Sequence, residues 1–207
     1  MHQQRQTIVM MILILIVALL WTANGFAASP KYTTKLLMHS VTKINDNSNV
    51  SIAGWTVLPN PGSSTYLAVV GPRYDAKRWS VEAMGGLLVV NEPVNDTLIE
   101  KKGHFIADIR ASLNITKQFC LWGNVEYVPD NDYFYLYLEA DYSLPIPLVV
   151  GAEIENDHIL DAPDNLSIGG HIKVPFKNGK FVMMAACQRH YQPGAYNQIS
   201  LRGLINF

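Results

Sequence analysis

Apolar and polar side chains alternate with a period of two along most of the chain from residue 50 onward. In the segment 133–142, Phe134, Leu136 and Leu138 fall on one face, whereas Tyr135 and Glu139 fall on the other. An extended strand places alternate residues on opposite faces, and a helix does not. No long stretch of this region carries apolar residues at helical spacing. The sequence therefore predicts an all-β protein.

Clusters of Pro, Gly, Asn and Asp divide the alternating region into ten segments. The predicted strands are 50–58, 64–72, 77–90, 104–113, 118–128, 133–143, 147–155, 166–175, 180–190 and 196–207. Most have about nine to twelve residues, which is the length that a tilted strand needs to cross a bilayer. The segment 35–42 is a candidate for a further strand, so eight or twelve strands are also open.

The N-terminal residues have the layout of a secretory signal peptide. Arg5 precedes the segment Ile8–Trp21, whose fourteen residues are all apolar, and small residues around Ala27 follow. As a helix this segment would reach about 21 Å, less than the roughly 30 Å hydrocarbon core of a bilayer. We therefore expect residues 1–27 to be a signal peptide, with a mature chain from Ala28. An uncleaved membrane anchor is the alternative.

Residues 28–49 then form an N-terminal segment or an extra strand, and 50–207 form the main domain.

Composition excludes several classes of protein. The formal net charge is -1, and the 16 Lys and Arg residues are scattered, so no basic patch indicates nucleic-acid binding. The two cysteines, Cys120 and Cys187, are too few for a disulfide scaffold and are not spaced as a zinc site. Whether they are bonded to each other cannot be decided from their positions.

The alternating pattern fits two architectures, a soluble β-sandwich and a β-barrel with its polar face inward. The residue types on the polar faces distinguish between them. Charged side chains of both signs gather there, as in a lumen that contains paired charges, and the apolar faces tolerate glycines that a sandwich core would fill. The predicted lumen-lining residues are Glu82, Asp108, Arg110, Glu126, Glu139, Asp141, Glu153, Glu155, His171, Lys173 and Arg202.

The end of the chain supports the barrel. Its last segment is amphipathic, with Ile199, Leu201 and Ile205 on one face, and it closes on Phe207. With the N-terminal segment and the strand pattern, this ending resembles the bacterial outer-membrane β-barrel class. The resemblance implies an antiparallel up-and-down transmembrane barrel of about ten strands in the outer membrane. It also implies contact with outer-membrane lipid, a periplasmic C-terminus, and Phe207 as a signal to the barrel assembly machinery. The oligomeric state stays open.

A ten-stranded barrel has a narrow interior that side chains nearly fill, so a general-diffusion porin is not expected. The predicted inward acids outnumber Lys and Arg seven to three, which favours cations in any residual channel. We therefore expect a structural or interaction role in the envelope, or a narrow cation-leaning channel.

Two alternatives remain, an outer-membrane lipid-modifying enzyme and a soluble secreted β-sandwich binding domain. An enzyme should place His171 or His190 within hydrogen-bond reach of both an acid and a hydroxyl. The acidic segment around His158 lacks the ordered spacing of a calcium loop. No convergent catalytic set is evident, and the sequence predicts no catalytic residue, cofactor or metal.

Overall fold

The chain forms a closed β-barrel of eleven strands in a computed structural model that describes residues 31–45, 48–59, 65–93, 99–159, 164–191 and 195–207. The strands are β1 (Lys31–Lys43), β2 (Val50–Pro59), β3 (Thr65–Asp75), β4 (Trp79–Pro93), β5 (Ile99–Asn114), β6 (Phe119–Val128), β7 (Tyr133–Ser143), β8 (Val149–Ile159), β9 (Asn165–Phe176), β10 (Phe181–His190) and β11 (Tyr196–Asn206). Two single 3₁₀ turns, Pro129–Asn131 and Lys177–Gly179, connect neighbouring strands. No helix in these ranges is long and apolar enough to cross a bilayer.

The predicted all-β barrel is confirmed, and each of the ten predicted strands overlaps one of β2 to β11. The predicted count of about ten strands and the predicted antiparallel arrangement hold only approximately. Residues 31–43 form an eleventh strand, β1, which closes the barrel by pairing in parallel with β11 and antiparallel with β2. In a ring of strands that alternate in direction, an odd number forces one neighbouring pair to run the same way. A two-sheet sandwich is not formed, because the sheet closes on itself.

The parallel closure determines which ends of the strands lie together. Because β1 and β11 run in the same direction, β1 ends beside the C-terminus, where the Phe207 backbone N–H donates to the His39 carbonyl at 2.9 Å. We call this the C-terminal end of the barrel. Lys31 begins β1 at the opposite end. The predicted signal peptide, residues 1–27, lies outside the described residues.

The outer face of the barrel is apolar. Large side chains such as Val70, Ile109 and Leu138 point outward and are about half exposed. Outward aromatic side chains cluster near each end of the strands. Those near the C-terminal end are Tyr74, Trp79, Phe119, Tyr142, Phe176 and Phe181, and those near the opposite end are Tyr32, Tyr66, Phe105, Tyr127 and Phe134. The rings of Tyr74 and Trp79 lie 5.3 Å apart, and those of Phe176 and Phe181 lie 5.9 Å apart.

The interior is divided into an apolar half and a polar half. Strands β2 to β5 contribute most of a buried apolar cluster, which consists of Ala53, Trp55, Leu67, Val69, Met84, Leu88, Ile106 and Val128. Strands β5 to β9 and β11 contribute most of the buried charges. This division arises because the inward positions of β2 and β3 are largely apolar, whereas those of β7 and β8 are Tyr, Glu and Asp.

Candidate functional site

The structure places all eleven predicted lumen-lining residues on the inward face of their strands, in several hydrogen-bonded networks. Six of them, Glu82, Asp108, Arg110, Glu153, Glu155 and His171, are buried, and the other five are partly buried. Charges that are removed from water in this way are stable only when they are paired and hydrogen-bonded. The networks therefore account for the charge pattern of the polar faces.

Glu82 on β4 accepts three donors near the C-terminal end. Its carboxylate accepts from the Trp55 indole N–H at 2.7 Å and from the Arg73 guanidinium at 2.5 Å, and it lies 3.2 Å from His39 Nε2. Arg73 also donates to Asp75, with its Nη2 2.6 Å from Oδ1. Strands β1 to β4 are thus joined through one buried carboxylate.

Arg110 on β5 is held between carboxylates and aromatic rings. It donates to Asp108 Oδ2 at 2.7 and 2.8 Å, and its Nη2 lies 3.6 Å from Glu126 Oε1. Its guanidinium lies 4.3 Å from the centroid of the Trp55 ring and 5.9 Å from that of Trp122. A planar guanidinium suits this position because it can bond at its edges and stack on its faces.

His171 on β9 lies between two carboxylates. Its Nε2 is 2.6 Å from Asp141 Oδ1, and its Nδ1 is 3.2 Å from Glu153 Oε2. Lys173, two residues further along the inward face, donates to Asp141 at 2.7 Å and to Glu139 at 2.5 Å. This network joins β7, β8 and β9.

Arg202 on β11 reaches across the interior to β8. Its guanidinium donates to Glu153 Oε1 at 3.0 Å and to the Tyr137 hydroxyl at 2.9 Å. The Tyr137 hydroxyl lies 2.8 Å from Glu153 and 2.9 Å from Glu139, so the two carboxylates share its one proton.

A ladder of three Tyr–acid hydrogen bonds joins β7 to β8. Tyr133 donates to Asp157 at 2.7 Å, Tyr135 to Glu155 at 2.7 Å, and Tyr137 to Glu153 at 2.8 Å. None of the three acids lies directly opposite its tyrosine in the β7–β8 pair. For example, Tyr135 lies opposite Asp157 but donates to Glu155, two residues earlier on β8. The same offset of two residues holds for the other two bonds. The sequence signal was available, because three alternate tyrosines on one strand precede three alternate acids on the next.

Side chains from opposite walls meet in the middle of the barrel. We define the interior belt as Trp55, Arg110, Trp122, Tyr137 and Arg202. Trp55 on β2 lies 6.1 Å from Trp122 on β6, and Trp122 lies 5.7 Å from Tyr137 on β7, measured between ring centroids. The Arg202 guanidinium on β11 lies 5.4 Å from the Tyr137 ring centroid. The belt therefore crosses the interior from β2 to β6 and β7, and returns to β11, which only β1 separates from β2.

A cavity of about 830 Å³ lies between the interior belt and the end of the barrel opposite the C-terminus. Four members of the belt, all except Trp55, line it, together with strand residues closer to that end such as Thr65, Val90 and Tyr133. The cavity brings charged, aromatic and apolar side chains of the barrel interior together, and we take it as the candidate site.

One group of side chains has the spacing of metal ligands. Glu139, Glu153 and His171 each offer a ligand atom, and these atoms lie within 4.8 Å of one another. The same carboxylates already pair with Lys173 and Arg202 and accept from Tyr137. A buried lysine beside the site opposes a metal cation electrostatically. We interpret the group as part of the ion-pair networks.

The three histidines named in the sequence analysis, His171, His190 and His158, differ in their surroundings. His171 meets two carboxylates, and no hydroxyl bonds to its ring in the described chain. His190 Nδ1 lies 3.1 Å from Asn165 Oδ1, and its ring stacks on Tyr196 with centroids 4.3 Å apart. His158 pairs with Asp164 at the end of β8. Among the described residues, none of the three therefore shows hydrogen bonds to both an acid and a hydroxyl.

Several inward residues were not predicted. Lys35, His39 and Arg73 add cationic or titratable groups to the interior, and Asp157 adds an acid. The predicted excess of acids over Lys and Arg is correspondingly smaller. Cys120 and Cys187 are free and lie on strands that are not neighbours, β6 and β10.

Comparison of the chain with protein-family models, with curated proteins and with solved structures finds no match. The barrel and its interior therefore carry the functional argument.

Proposed function

We propose that the chain is an outer-membrane β-barrel protein of a bacterial envelope, with a sealed interior and a structural or interaction role. One observation carries the proposal. In the described strands, the outward positions between the two groups of aromatic residues hold no Asp, Glu, Lys or Arg. The outward charges Lys101 and Arg189 lie near strand ends. A water-exposed barrel has no reason to exclude charge from this zone, whereas a lipid-facing barrel must.

The height of the uncharged zone agrees with a bilayer. On β3 it extends from Tyr66 to Tyr74, and on β7 from Phe134 to Tyr142. The eight steps from the first to the last residue, at roughly 3.4 Å each on strands tilted by about 40°, cover a height of about 21 Å. The lipid-facing band of outer-membrane barrels is about 25 Å tall and is flanked by aromatic residues in the same way.

The orientation follows from the class that the sequence resembles. A periplasmic C-terminus would place Phe207, the proposed assembly signal, at the inner surface of the outer membrane. The cavity would then face the cell exterior. The odd strand number is unlike the even number of bacterial single-chain barrels, so the closure of the barrel is a property to test in its own right.

Heat modifiability is the first test. We expect the protein to partition into the detergent-extracted membrane fraction, and the unboiled sample to migrate differently from the boiled sample on a gel, because a lipid-facing barrel resists dissolution by the gel detergent. The boiled sample is the control. A protein that is soluble without detergent and shows no shift would overturn the membrane proposal.

Conductance separates the sealed barrel from the narrow cation-leaning channel. Because the interior belt joins opposite walls, we expect no discrete conductance steps when the folded protein is added to planar bilayers in potassium chloride. Boiled protein and empty detergent micelles are the controls. Reproducible cation-selective steps from the folded sample alone would instead establish the channel.

A further inference from the structure

The cavity has walls of opposite character. Strands β1 to β4 supply one wall, formed by Leu37, Val57, Leu67, Leu88 and Val90. Strands β6 to β8 supply the facing wall, whose polar members include Glu126, Tyr133, Tyr135, Glu155 and Asp157. A volume of about 830 Å³ lies within the range of sites that hold small molecules, which are mostly apolar with a few placed polar groups.

The cations that line the cavity are already engaged. Arg110 bonds to Asp108, and Arg202 bonds to Glu153, and neither of these acids lines the cavity. Lys35 lies 3.9 Å from Glu155. These pairings leave little positive charge for an anionic ligand.

Two acids of the polar wall are less fully neutralised. Asp157 accepts from Tyr133 and Asn165, which are neutral donors, and no Lys or Arg in the described chain pairs with it. Glu126 accepts from Asn124 at 2.8 Å, and its only cationic neighbour at ion-pair distance in those ranges is Arg110 at 3.6 Å, which Asp108 holds more closely. Glu126 and Asp157 are therefore acids of the polar wall that have no close ion-pair partner in the described part of the chain.

We propose that the cavity binds an amphiphilic cation, a ligand whose hydrocarbon body packs on the β1–β4 wall and whose ammonium group lies at Glu126 and Asp157. Burial of the hydrocarbon against the apolar side chains supplies affinity. The two carboxylates and the aromatic face of Tyr133 supply selectivity for positive charge. The site is inside the barrel, so the proposal does not depend on the membrane in which the barrel lies.

Two probes of equal chain length and opposite charge test the proposal. Octylammonium and octanoate are titrated calorimetrically into the folded protein in maltoside micelles, and the heats of titration into micelles alone are subtracted. We expect saturable binding of octylammonium, with an affinity at least about tenfold higher than that of octanoate. Equal affinities, tighter binding of octanoate, or no saturable binding of either probe would each overturn the proposal.

Charge-neutral variants locate the ammonium group. Asp157→Asn and Glu126→Gln should each weaken octylammonium binding by about tenfold and leave octanoate binding unchanged or slightly tighter. Asp75→Asn, at the other end of the barrel, is the matched control and should change neither affinity. Folding of each variant is checked by heat modifiability.

Octylammonium binding that is insensitive to both cavity substitutions would indicate partitioning into micelles and would overturn the assignment. If a variant fails to fold, the comparison of the two probes on the unaltered protein still decides.

Discussion

At the scale of single residues, the interior depends on charges that cannot be removed one at a time. Glu153 has a fully buried side chain and is held by Arg202, Tyr137 and His171. The attraction between a buried carboxylate and its partners offsets the cost of taking both out of water. If one partner is removed, the other charge stays buried without compensation. If both charged groups are removed, no uncompensated charge remains.

We predict that Arg202→Met lowers the free energy of unfolding by about 3 to 5 kcal/mol, because it leaves Glu153 buried without its guanidinium partner. The double variant Arg202→Met with Glu153→Gln should be more stable than Arg202→Met alone. The measurement is guanidinium-induced unfolding of the protein refolded into lipid vesicles. Arg189→Met, which removes an outward arginine bonded to Asn197, is the control and should change stability by about 0.5 kcal/mol or less. A double variant that is less stable than Arg202→Met would contradict this explanation.

Adjacent glycines on β4 give a second prediction at this scale. A Cβ added to the inward Gly86 would collide with the Ala68 carbonyl oxygen and lie 2.7 Å from Val69 Cα. A Cβ added to Gly85 would lie 3.4 Å from the Phe105 ring, and its other neighbours would be farther away. We therefore expect Gly86→Ala to cost about 1 to 3 kcal/mol through overpacking. Gly85→Ala should be neutral, or stabilise the barrel slightly by restricting the unfolded chain. Thermal unfolding of the two variants compares them directly, and equal destabilisation would show that the close backbone approach at Gly86 is not the cause.

At the scale of elements, the predictability of each strand depends on how strongly its two faces differ. Strand β7 was predictable to the residue because acids and tyrosines alternate with Phe and Leu. The candidate strand 35–42 lies within β1, but its bounds and its two faces were not predictable, because Leu36, Leu37 and Met38 are consecutive and hide the alternation. The parallel closure could not be predicted either, since it follows only from the strand number.

The same reasoning explains which part of the site was missed. The polar networks were foreseeable from charges that alternate with apolar residues. The apolar wall of the cavity was not, because Leu67 and Leu88 lie on strands that are apolar on both faces. No rule of alternation distinguishes an inward leucine from an outward one on such a strand.

We predict that Thr34→Cys and Leu201→Cys, in a background of Cys120→Ser and Cys187→Ser, form a disulfide on mild oxidation. These residues lie opposite each other in the parallel β1–β11 pair, where neighbouring strands are close enough for a disulfide. Thr34→Cys with Ile205→Cys is the matched control, because a shift of four residues separates the thiols by about 13 Å along the strand. Non-reducing electrophoresis gives the readout. A ten-stranded barrel closed by β2 against β11 would leave both pairs uncrosslinked.

At the scale of the whole molecule, the barrel combines an apolar outer surface with a charged interior, and the proposed location in a membrane explains this combination. Its outer surface is apolar between two groups of aromatic residues, and its interior holds buried charges. In water the outer surface would promote aggregation, whereas in lipid it is the surface that is solvated. The position of a charge along the outer face should therefore determine its energetic cost.

Strand β5 allows this dependence to be measured with one substitution at two depths. Ile109 is outward, 55% exposed and midway between the aromatic groups, whereas Leu113 is outward and paired with Trp79 near the C-terminal end. In lipid vesicles we expect Ile109→Arg to lower the free energy of unfolding by about 2 to 4 kcal/mol, and Leu113→Arg by about 1 kcal/mol or less, because the cost of a lipid-facing arginine falls from the bilayer centre toward its surface. A barrel whose outer face meets water would accept arginine equally at both positions, since both side chains are already exposed. Equal and small effects would thus contradict the membrane proposal without contradicting the barrel fold.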